Sequence, residues 1–239
     1  MNEVETLAAQ LGPRGEVRLR RRTPADGVPV EELIVNGVFA MDSTETFSER
    51  ALGDIALAPT HRDGLVRVLV GGLGLGYTVL QILEAADRQS LEVVVDVVEI
   101  EPSLVDWALA GLTTTWARIA GDERVRLHAA DIGDVLGGRR RDPVGPWDAI
   151  LLDVDNGPDF LIHGDNAALY AETGLRAAYA HLADGGTVAV WCQGRSEQLL
   201  ELLSRIDPSP RENRYAVTRG ERQFEYVIYT ISRPSTPHA

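Results

Sequence analysis

The feature that most constrains this chain is a glycine-rich turn between an apolar strand and a helix, in the segment VRVLVGGLGLGYTVLQIL (66–83). Residues 66–71 are mostly apolar, as in a strand covered on both faces. The glycines after it let the backbone adopt positive φ and approach a ligand, and the helix behind them offers unpaired N–H groups. The alternative is a tight turn that binds nothing. The glycines concerned are Gly71, Gly72, Gly74 and Gly76.

From residue 65 onward, apolar strand patterns alternate with helix patterns. This alternation predicts an α/β fold with a Rossmann-like, doubly wound and mostly parallel sheet. A C-terminal antiparallel hairpin, RYAVTR and FEYVIYTIS, is expected to finish the sheet. The predicted strands are 66–71, 91–100, 125–130, 147–153 and 187–192, and the predicted helices lie near 77–89, 102–117, 165–183 and 195–206.

The N-terminal region has a different pattern. Short alternating segments, GEVRLRRR and ELIVNGVFAMD, flank a turn rich in Pro, Asp and Gly, which predicts a small β-hairpin lobe. The segment SERALGDIALAP then predicts a short helix that leads inward. We therefore divide the chain into an N-terminal β lobe with a lid segment (1–58) and a Rossmann-like catalytic domain (59–239).

Acidic residues follow three of the predicted strands. Glu99 ends the second strand, about 20 residues after the glycine turn, where a carboxylate can bind a ribose diol. Asp131 follows the third strand on the expected adenine side, and Asp153 ends the fourth. Each alone could cap a helix or a turn. Together with the glycine turn they favour a nucleoside-binding site.

The spacing of the glycines distinguishes between two kinds of nucleotide. A dinucleotide fingerprint G-x-G-x-x-G that starts at Gly72 would need a third glycine where the chain has Tyr77. A bulky residue there hinders close helix–strand packing beside a pyrophosphate. S-adenosylmethionine has no phosphates and does not need that glycine. The predicted cofactor is therefore S-adenosylmethionine or a derivative.

Composition excludes several other classes of protein. The net charge of −13 argues against a nucleic-acid partner, and the basic run Arg18–Arg22 is interpreted as a solvated edge strand. A single cysteine, Cys192, excludes an internal disulfide, and the scattered histidines, His61 and His163 among them, predict no metal site. No segment approaches the roughly 18–20 apolar residues of a membrane span, and the N-terminus lacks a signal-peptide pattern. A cytoplasmic protein without a membrane partner is expected.

At these residues the chain resembles the spermidine synthase family, from about Glu32 to Tyr229. VLVGGLGLG stands at that family's glycine loop, VVEIEPSLVDWA at its ribose-binding strand end, HAADIGDVL at its adenine-contacting turn and WDAILLDVDNGP at its catalytic segment. The resemblance implies the class I S-adenosylmethionine methyltransferase fold and a homodimer. It implies that Glu99 binds the ribose and Asp131 the adenine amino group, and that Asp153 is the active-site carboxylate. The substrate side would be formed by Asp155, Asn156 and Tyr170.

The chain departs from the family in the polyamine half of the site. The glycine-loop aspartate of the family is replaced by Gly74, and its second catalytic-segment aspartate by Asn156, with Asp155 shifted by one position. The Tyr and Gln that grip the polyamine are replaced by Glu49 and Arg50. Glu45 and Glu49 could attract a cationic substrate, but we expect them to be solvated.

The sequence therefore predicts a transferase of the spermidine-synthase-like type that acts on a small molecule, most plausibly an amine. The donor would be S-adenosylmethionine or its decarboxylated form, so that methyl and aminopropyl transfer both stay open. A carboxylate such as Asp153 can hold an ammonium group and accept its proton. The alternative is a non-catalytic homologue that binds a nucleoside.

Overall fold

The computed structural model describes residues 3–25, 27–58, 64–154, 157–158, 161, 164–219 and 222–236. The strands are β1 (Glu3–Gly12), β2 (Gly15–Thr23), β3 (Val30–Val35), β4 (Val38–Asp42), β5 (Val66–Gly71), β6 (Val93–Glu99), β7 (Val125–Ala129), β8 (Trp147–Leu152), β9 (Leu182–Cys192), β10 (Arg211–Arg219) and β11 (Arg222–Ser232). The helices are α1 (Phe47–Ala56), α2 (Tyr77–Gln89), α3 (Pro102–Leu109), α4 (Thr114–Ala120), α5 (Ile132–Leu136), α6 (Ala167–Tyr170), α7 (Glu172–Ala180) and α8 (Glu197–Ser204).

The central sheet contains seven strands in the order β10-β11-β9-β8-β5-β6-β7. The strands β5 to β9 run parallel, whereas β11 is antiparallel to both β9 and β10. All of β8 and nearly all of β5 and β6 are buried, because helices cover both faces of the sheet. The Rossmann-like, mostly parallel sheet and its C-terminal hairpin are confirmed.

The N-terminal region forms a second, four-stranded antiparallel sheet in the order β1-β2-β3-β4. It is larger than the predicted hairpin, since β1 adds a mostly exposed strand of which Leu7 and Ala8 pack against the core. The interpretation of the basic run as a solvated edge strand is wrong. The strand β2 lies between β1 and β3, and Arg20 and Arg22 both bind the carboxylate of Glu32, which is 6% exposed.

Two predicted helices are interrupted. The predicted helix 102–117 is the pair α3 and α4, because Gly111 adopts a φ of 66° and Thr113 accepts the N–H of Trp116 as a new N-cap. The predicted helix 165–183 consists of a 3₁₀ turn (Gly164–Asn166), α6 and α7, separated by the extended residue Ala171. Of the helices in the described ranges, none has the length and hydropathy that crossing a bilayer requires.

The apolar core has one cluster on each face of the central sheet. Alternate residues of β5 separate the two, with Val68 and Val70 in one cluster and Leu69 in the other. The first cluster also contains Leu19 and Leu33 from the N-terminal sheet. The division of the chain near residue 58 stays a prediction, and apolar packing is continuous across it.

Candidate active site

A cavity of about 1350 Å³, counted out to its open mouth, lies at the carboxyl ends of β5, β6 and β8. The strand order reverses between β8 and β5, and α/β sheets bind ligands at such a switch point. The glycine turn, α2 and the strand ends form its floor. The N-terminal sheet and α1 cover it with Leu33, Val35, Phe39, Ala40, Met41 and Glu49.

The glycine turn is shaped by close contacts that leave no room for side chains. Gly72 has a φ of 92°, and a Cβ there would lie 2.1 Å from the carbonyl oxygen of Asp153. Gly76 has a φ of 87° and packs against Ile119. Both line the cavity, whereas Gly71 lies behind it in β5, where its carbonyl oxygen accepts the N–H of Asp153 at 2.8 Å. The turn therefore fixes the backbone of Asp153, and it exposes its own backbone to the cavity.

Gly74 stands where the resemblance to spermidine synthases predicts a loop aspartate. It has a φ of 47°, and a Cβ there would lie 2.7 Å from the Sδ atom of Met41. The same sulfur accepts the N–H of Leu75 at 3.3 Å. A thioether from the N-terminal sheet thus packs against Gly74 and the backbone of the turn.

Glu99 lies at the end of β6, where it lines the cavity and is buried. Its Oε2 accepts the N–H of Leu73 at 2.9 Å, and its Oε1 accepts the N–H of Glu101 at 2.8 Å. Burial raises the pKa of Glu99, and the two backbone donors partly oppose that effect. A carboxylate has about four lone-pair sites, so Glu99 can still accept hydrogen bonds from a diol.

Sequence reasoning missed Glu101, which also lines the cavity. Its side chain is 4% exposed, and its Oε1 atom has no hydrogen-bond partner among the described residues. A buried polar atom without a partner is unfavourable by about 1–3 kcal/mol. The sequence does contain a signal for Glu101. This residue directly precedes Pro102, and proline is typical of the first position of a helix such as α3. The end of the cavity beside β6 therefore has two carboxylates.

Asp131 is the N-cap of α5, and its Oδ1 accepts the N–H of Gly133 at 2.7 Å. The next residue, Ile132, lines the cavity, and Asp131 is not among the lining residues. The predicted contact between Asp131 and the adenine amino group stays a prediction. At least one of the two carboxylate oxygens of Asp131 therefore caps α5, as the alternative interpretation expects.

Asp153 follows β8, is partly buried and lines the floor of the cavity. Its Oδ2 accepts the hydroxyl of Thr78, in the first turn of α2, at 2.6 Å. Burial raises the pKa of Asp153 from 3.8 to about 6, and the Thr78 hydrogen bond opposes the shift. A carboxylate with this pKa is largely ionised at neutral pH and is basic enough to accept a proton from a bound group.

Of the three predicted substrate-side residues, the structure describes Tyr170. Asp155 and Asn156 lie outside the described residues, as do His61 and His163. Tyr170 is buried behind the wall, where its hydroxyl donates a hydrogen bond to the carbonyl oxygen of Val154. Tyr170 thereby fixes the backbone next to Asp153, and its contact with a substrate stays a prediction.

The expectation that Glu49 is solvated is wrong. It lines the cavity from α1, and its carboxylate accepts the hydroxyl of Ser48 at 2.7 Å. The sequence placed Glu49 in the lid segment but could not show which face of α1 meets the cavity. In the part of the chain that the structure describes, no group of three or more His, Cys, Asp and Glu residues is placed to hold a metal.

No family model and no curated protein matches the chain. Solved structures do match. Human methyltransferase-like protein 13 in complex with SAH aligns over 80% of this chain and 81% of that chain, at 21% identity and a TM-score of 0.51. Precorrin-6y C5,15-methyltransferase from Geobacter metallireducens aligns over 80% and 90%, at 13% identity and a TM-score of 0.53.

The O-methyltransferase TomG from Streptomyces achromogenes, in complex with SAM, aligns over 80% of this chain and 82% of that chain, at 14% identity and a TM-score of 0.50. The chain has the class I methyltransferase fold. At these identities the likeness describes the architecture only, and the resemblance to spermidine synthases stays a prediction. The cavity of this class I methyltransferase fold lies at the carboxyl ends of its parallel strands.

Proposed function

We propose that the protein transfers an alkyl group from S-adenosylmethionine to an amine of a small molecule. The observation that carries the proposal is the position of Asp153. This partly buried carboxylate with a raised pKa lines the same cavity as the glycine turn and Glu99. One cavity thus joins a nucleoside-type binding surface to a group that can accept a proton.

The donor half of the cavity fits an adenosyl group. Glu99 and Glu101 would hold the ribose hydroxyls, and the unpartnered Oε1 of Glu101 is an acceptor that a ligand could satisfy. The absent side chains at Gly72 and Gly76 leave the backbone of the turn open to a ligand. The bound sulfonium supplies an electrophilic carbon, and the protein has to align that carbon with the acceptor.

The acceptor half fits a cationic amine. Of the described residues that line the cavity, Glu49, Glu99, Glu101 and Asp153 are acidic, and none is Arg, Lys or His. An ammonium group is attracted by such a field, and Asp153 can take the proton that the nitrogen must lose before it attacks. The nitrogen then forms a bond to carbon, and the sulfur takes the electron pair of the carbon–sulfur bond.

Methyl transfer is favoured over aminopropyl transfer by the surroundings of Gly74. The Sδ atom of Met41 packs where a loop aspartate would stand, so no loop carboxylate repels the carboxylate of intact S-adenosylmethionine. The N–H groups at the start of α2 can donate hydrogen bonds to that carboxylate. The three compared structures are methyltransferases by name, in agreement with this preference.

Calorimetric titration with S-adenosylmethionine, its decarboxylated form and methylthioadenosine tests the donor assignment. We expect intact S-adenosylmethionine to bind more tightly than the decarboxylated form. The opposite preference would assign the protein to aminopropyl transfer, and binding of none of the three would refute the cofactor.

A screen of amines for turnover, with Asp153→Asn as the comparison, tests catalysis. We expect the variant to keep donor binding and to lose about 100-fold or more in rate. Donor binding with no turnover of any amine would instead support the non-catalytic nucleoside-binding protein.

A further inference from the structure

Glu49 and Asp153 reach the same cavity from elements that are far apart in the sequence. Glu49 lies in the first turn of α1, in the segment that covers the cavity, and Asp153 lies at its floor after β8. Each carboxylate accepts one neighbouring hydroxyl, from Ser48 and Thr78 respectively. The charge of Asp153 acts directly on Glu49. The two groups therefore line one cavity and influence each other electrostatically.

The environment of Glu49 makes two full negative charges unfavourable when the cavity holds no cation. Burial is the main effect that raises the pKa of Glu49, from 4.5 to about 7, and the charge of Asp153 adds to it. The neighbouring Arg50 does not offset this, because its guanidinium binds Gln81 and Glu84. The other charged or titratable groups on α1 and on the elements that pack most closely against it are Arg50 and Asp54 on α1, Tyr77, Glu84, Asp87 and Arg88 on α2, Asp148 on β8, and Asp184 and Cys192 on β9, with Glu45 just before α1 and Asp153 just after β8.

A second feature of the same space points to a ligand. Trp191 and Tyr226 line the cavity with ring centroids 5.0 Å apart. Trp191 is 8% exposed, and its Nε1 has no hydrogen-bond partner among the described residues. Aromatic rings attract cations through their faces, and a buried donor without a partner favours a bound acceptor atom. The cavity thus combines carboxylates, aromatic rings and an unused donor.

We propose that Glu49 is a second acceptor-binding residue, which forms with Asp153 a two-carboxylate clamp for the ammonium group of the acceptor. This inference rests on the proposed function. The ammonium replaces the proton that the two carboxylates hold in the empty cavity. During transfer, one ammonium proton passes to the pair, the nitrogen bonds to the alkyl carbon, and the carbon–sulfur bond breaks with its electrons on sulfur. The pair keeps that proton when the alkylated ammonium product departs, and releases it to solvent when the next ammonium binds.

Calorimetry in two buffers of different ionisation enthalpy tests the clamp, because it counts the protons released on binding. The probes are n-butylamine, 1,4-diaminobutane and benzylamine, with n-butanol as the uncharged control, with and without saturating methylthioadenosine. For the wild type at pH 7 we expect about half a proton released per amine bound, since Glu49 is about half protonated there. Glu49→Gln should abolish most of that release and weaken amine binding about tenfold.

Two variants serve as controls. Glu49→Asp keeps the charge and should retain proton release, with a weaker affinity. Glu45→Gln removes a carboxylate from the same segment outside the cavity lining and should behave as the wild type. Amine binding and proton release that are unchanged in Glu49→Gln would overturn the clamp, and so would failure of all three amines to bind the wild type. The separate titration with adenosyl ligands decides the proposed function, so the two failures are distinguishable.

Discussion

The substitution Glu49→Gln should make the protein more stable at alkaline pH. The native carboxyl has a pKa of about 7 and the unfolded one about 4.5, so the native state binds more protons between these values. The stability of the wild type therefore falls as pH rises from about 4.5 to 7, and the loss is complete above that window. Glutamine does not titrate, keeps the shape of the side chain and can still accept the hydroxyl of Ser48.

The size of the effect follows from the pKa difference. A tenfold change in proton affinity corresponds to about 1.36 kcal/mol, so the wild type loses about 2 kcal/mol of stability between pH 5 and pH 8, after allowance for the part that depends on Asp153. In a domain of this length, 1 kcal/mol shifts the melting temperature by about 2–4 °C. The melting temperature of Glu49→Gln should thus exceed that of the wild type by about 4–8 °C more at pH 8 than at pH 5.

Thermal melts of the wild type, Glu49→Gln and the control Glu45→Gln, followed by circular dichroism at intervals from pH 5 to pH 8, measure this difference. The melting-temperature curves of the wild type and Glu45→Gln should run parallel, and that of Glu49→Gln should diverge from both as the pH rises from 5 to about 7. A constant offset between Glu49→Gln and the wild type, or a variant less stable than the wild type at pH 8, would refute the burial of Glu49 beside Asp153.

Two further substitutions test the construction of the site. Gly72→Ala should be about 2 kcal/mol more destabilising than Gly138→Ala in denaturant melts, because both residues have positive φ but only the Cβ at Gly72 meets a backbone oxygen. Equal losses would contradict the close approach of the glycine turn to Asp153. Tyr170→Phe should lower stability by about 1 kcal/mol through the lost hydrogen bond to Val154 and leave S-adenosylmethionine affinity unchanged in calorimetry. A loss of donor affinity in this variant would place Tyr170 in the donor site.

The central sheet could be predicted because its strands are buried on both faces and its helices have clear ends. The predicted helix 77–89 coincides with α2, which begins after Gly76 and ends before Ser90, both in the left-handed region. The strand β1 could not be predicted, since its exposed side chains carry no apolar alternation. Its backbone hydrogen bonds to β2 define it, and pairing of that kind leaves little trace in composition.

The sequence predicts those residues of the candidate site that belong to the glycine turn or lie at the end of a predicted strand. The turn from Gly72 to Gly76 and the strand-end residues Glu99 and Asp153 belong to elements that a parallel sheet must bring together. Glu49 belongs to a helix whose rotation about its axis depends on packing against α2. A single sequence gives no measure of that rotation, so the residue was placed in solvent.

The two sheets contribute different residues to the cavity. The central sheet supplies the glycine turn, Glu99 and Asp153, which are tied to one another by backbone contacts such as the Asp153 N–H to the Gly71 carbonyl. The N-terminal sheet and α1 supply Phe39, Met41 and Glu49, which contact the cavity from above. Under the proposed function, substitutions at Phe39 or Glu49 would change the acceptor side of the cavity and leave the donor side intact. Because Met41 also accepts the N–H of Leu75, the cover and the glycine turn are held together at the point where the donor's amino-acid end would lie.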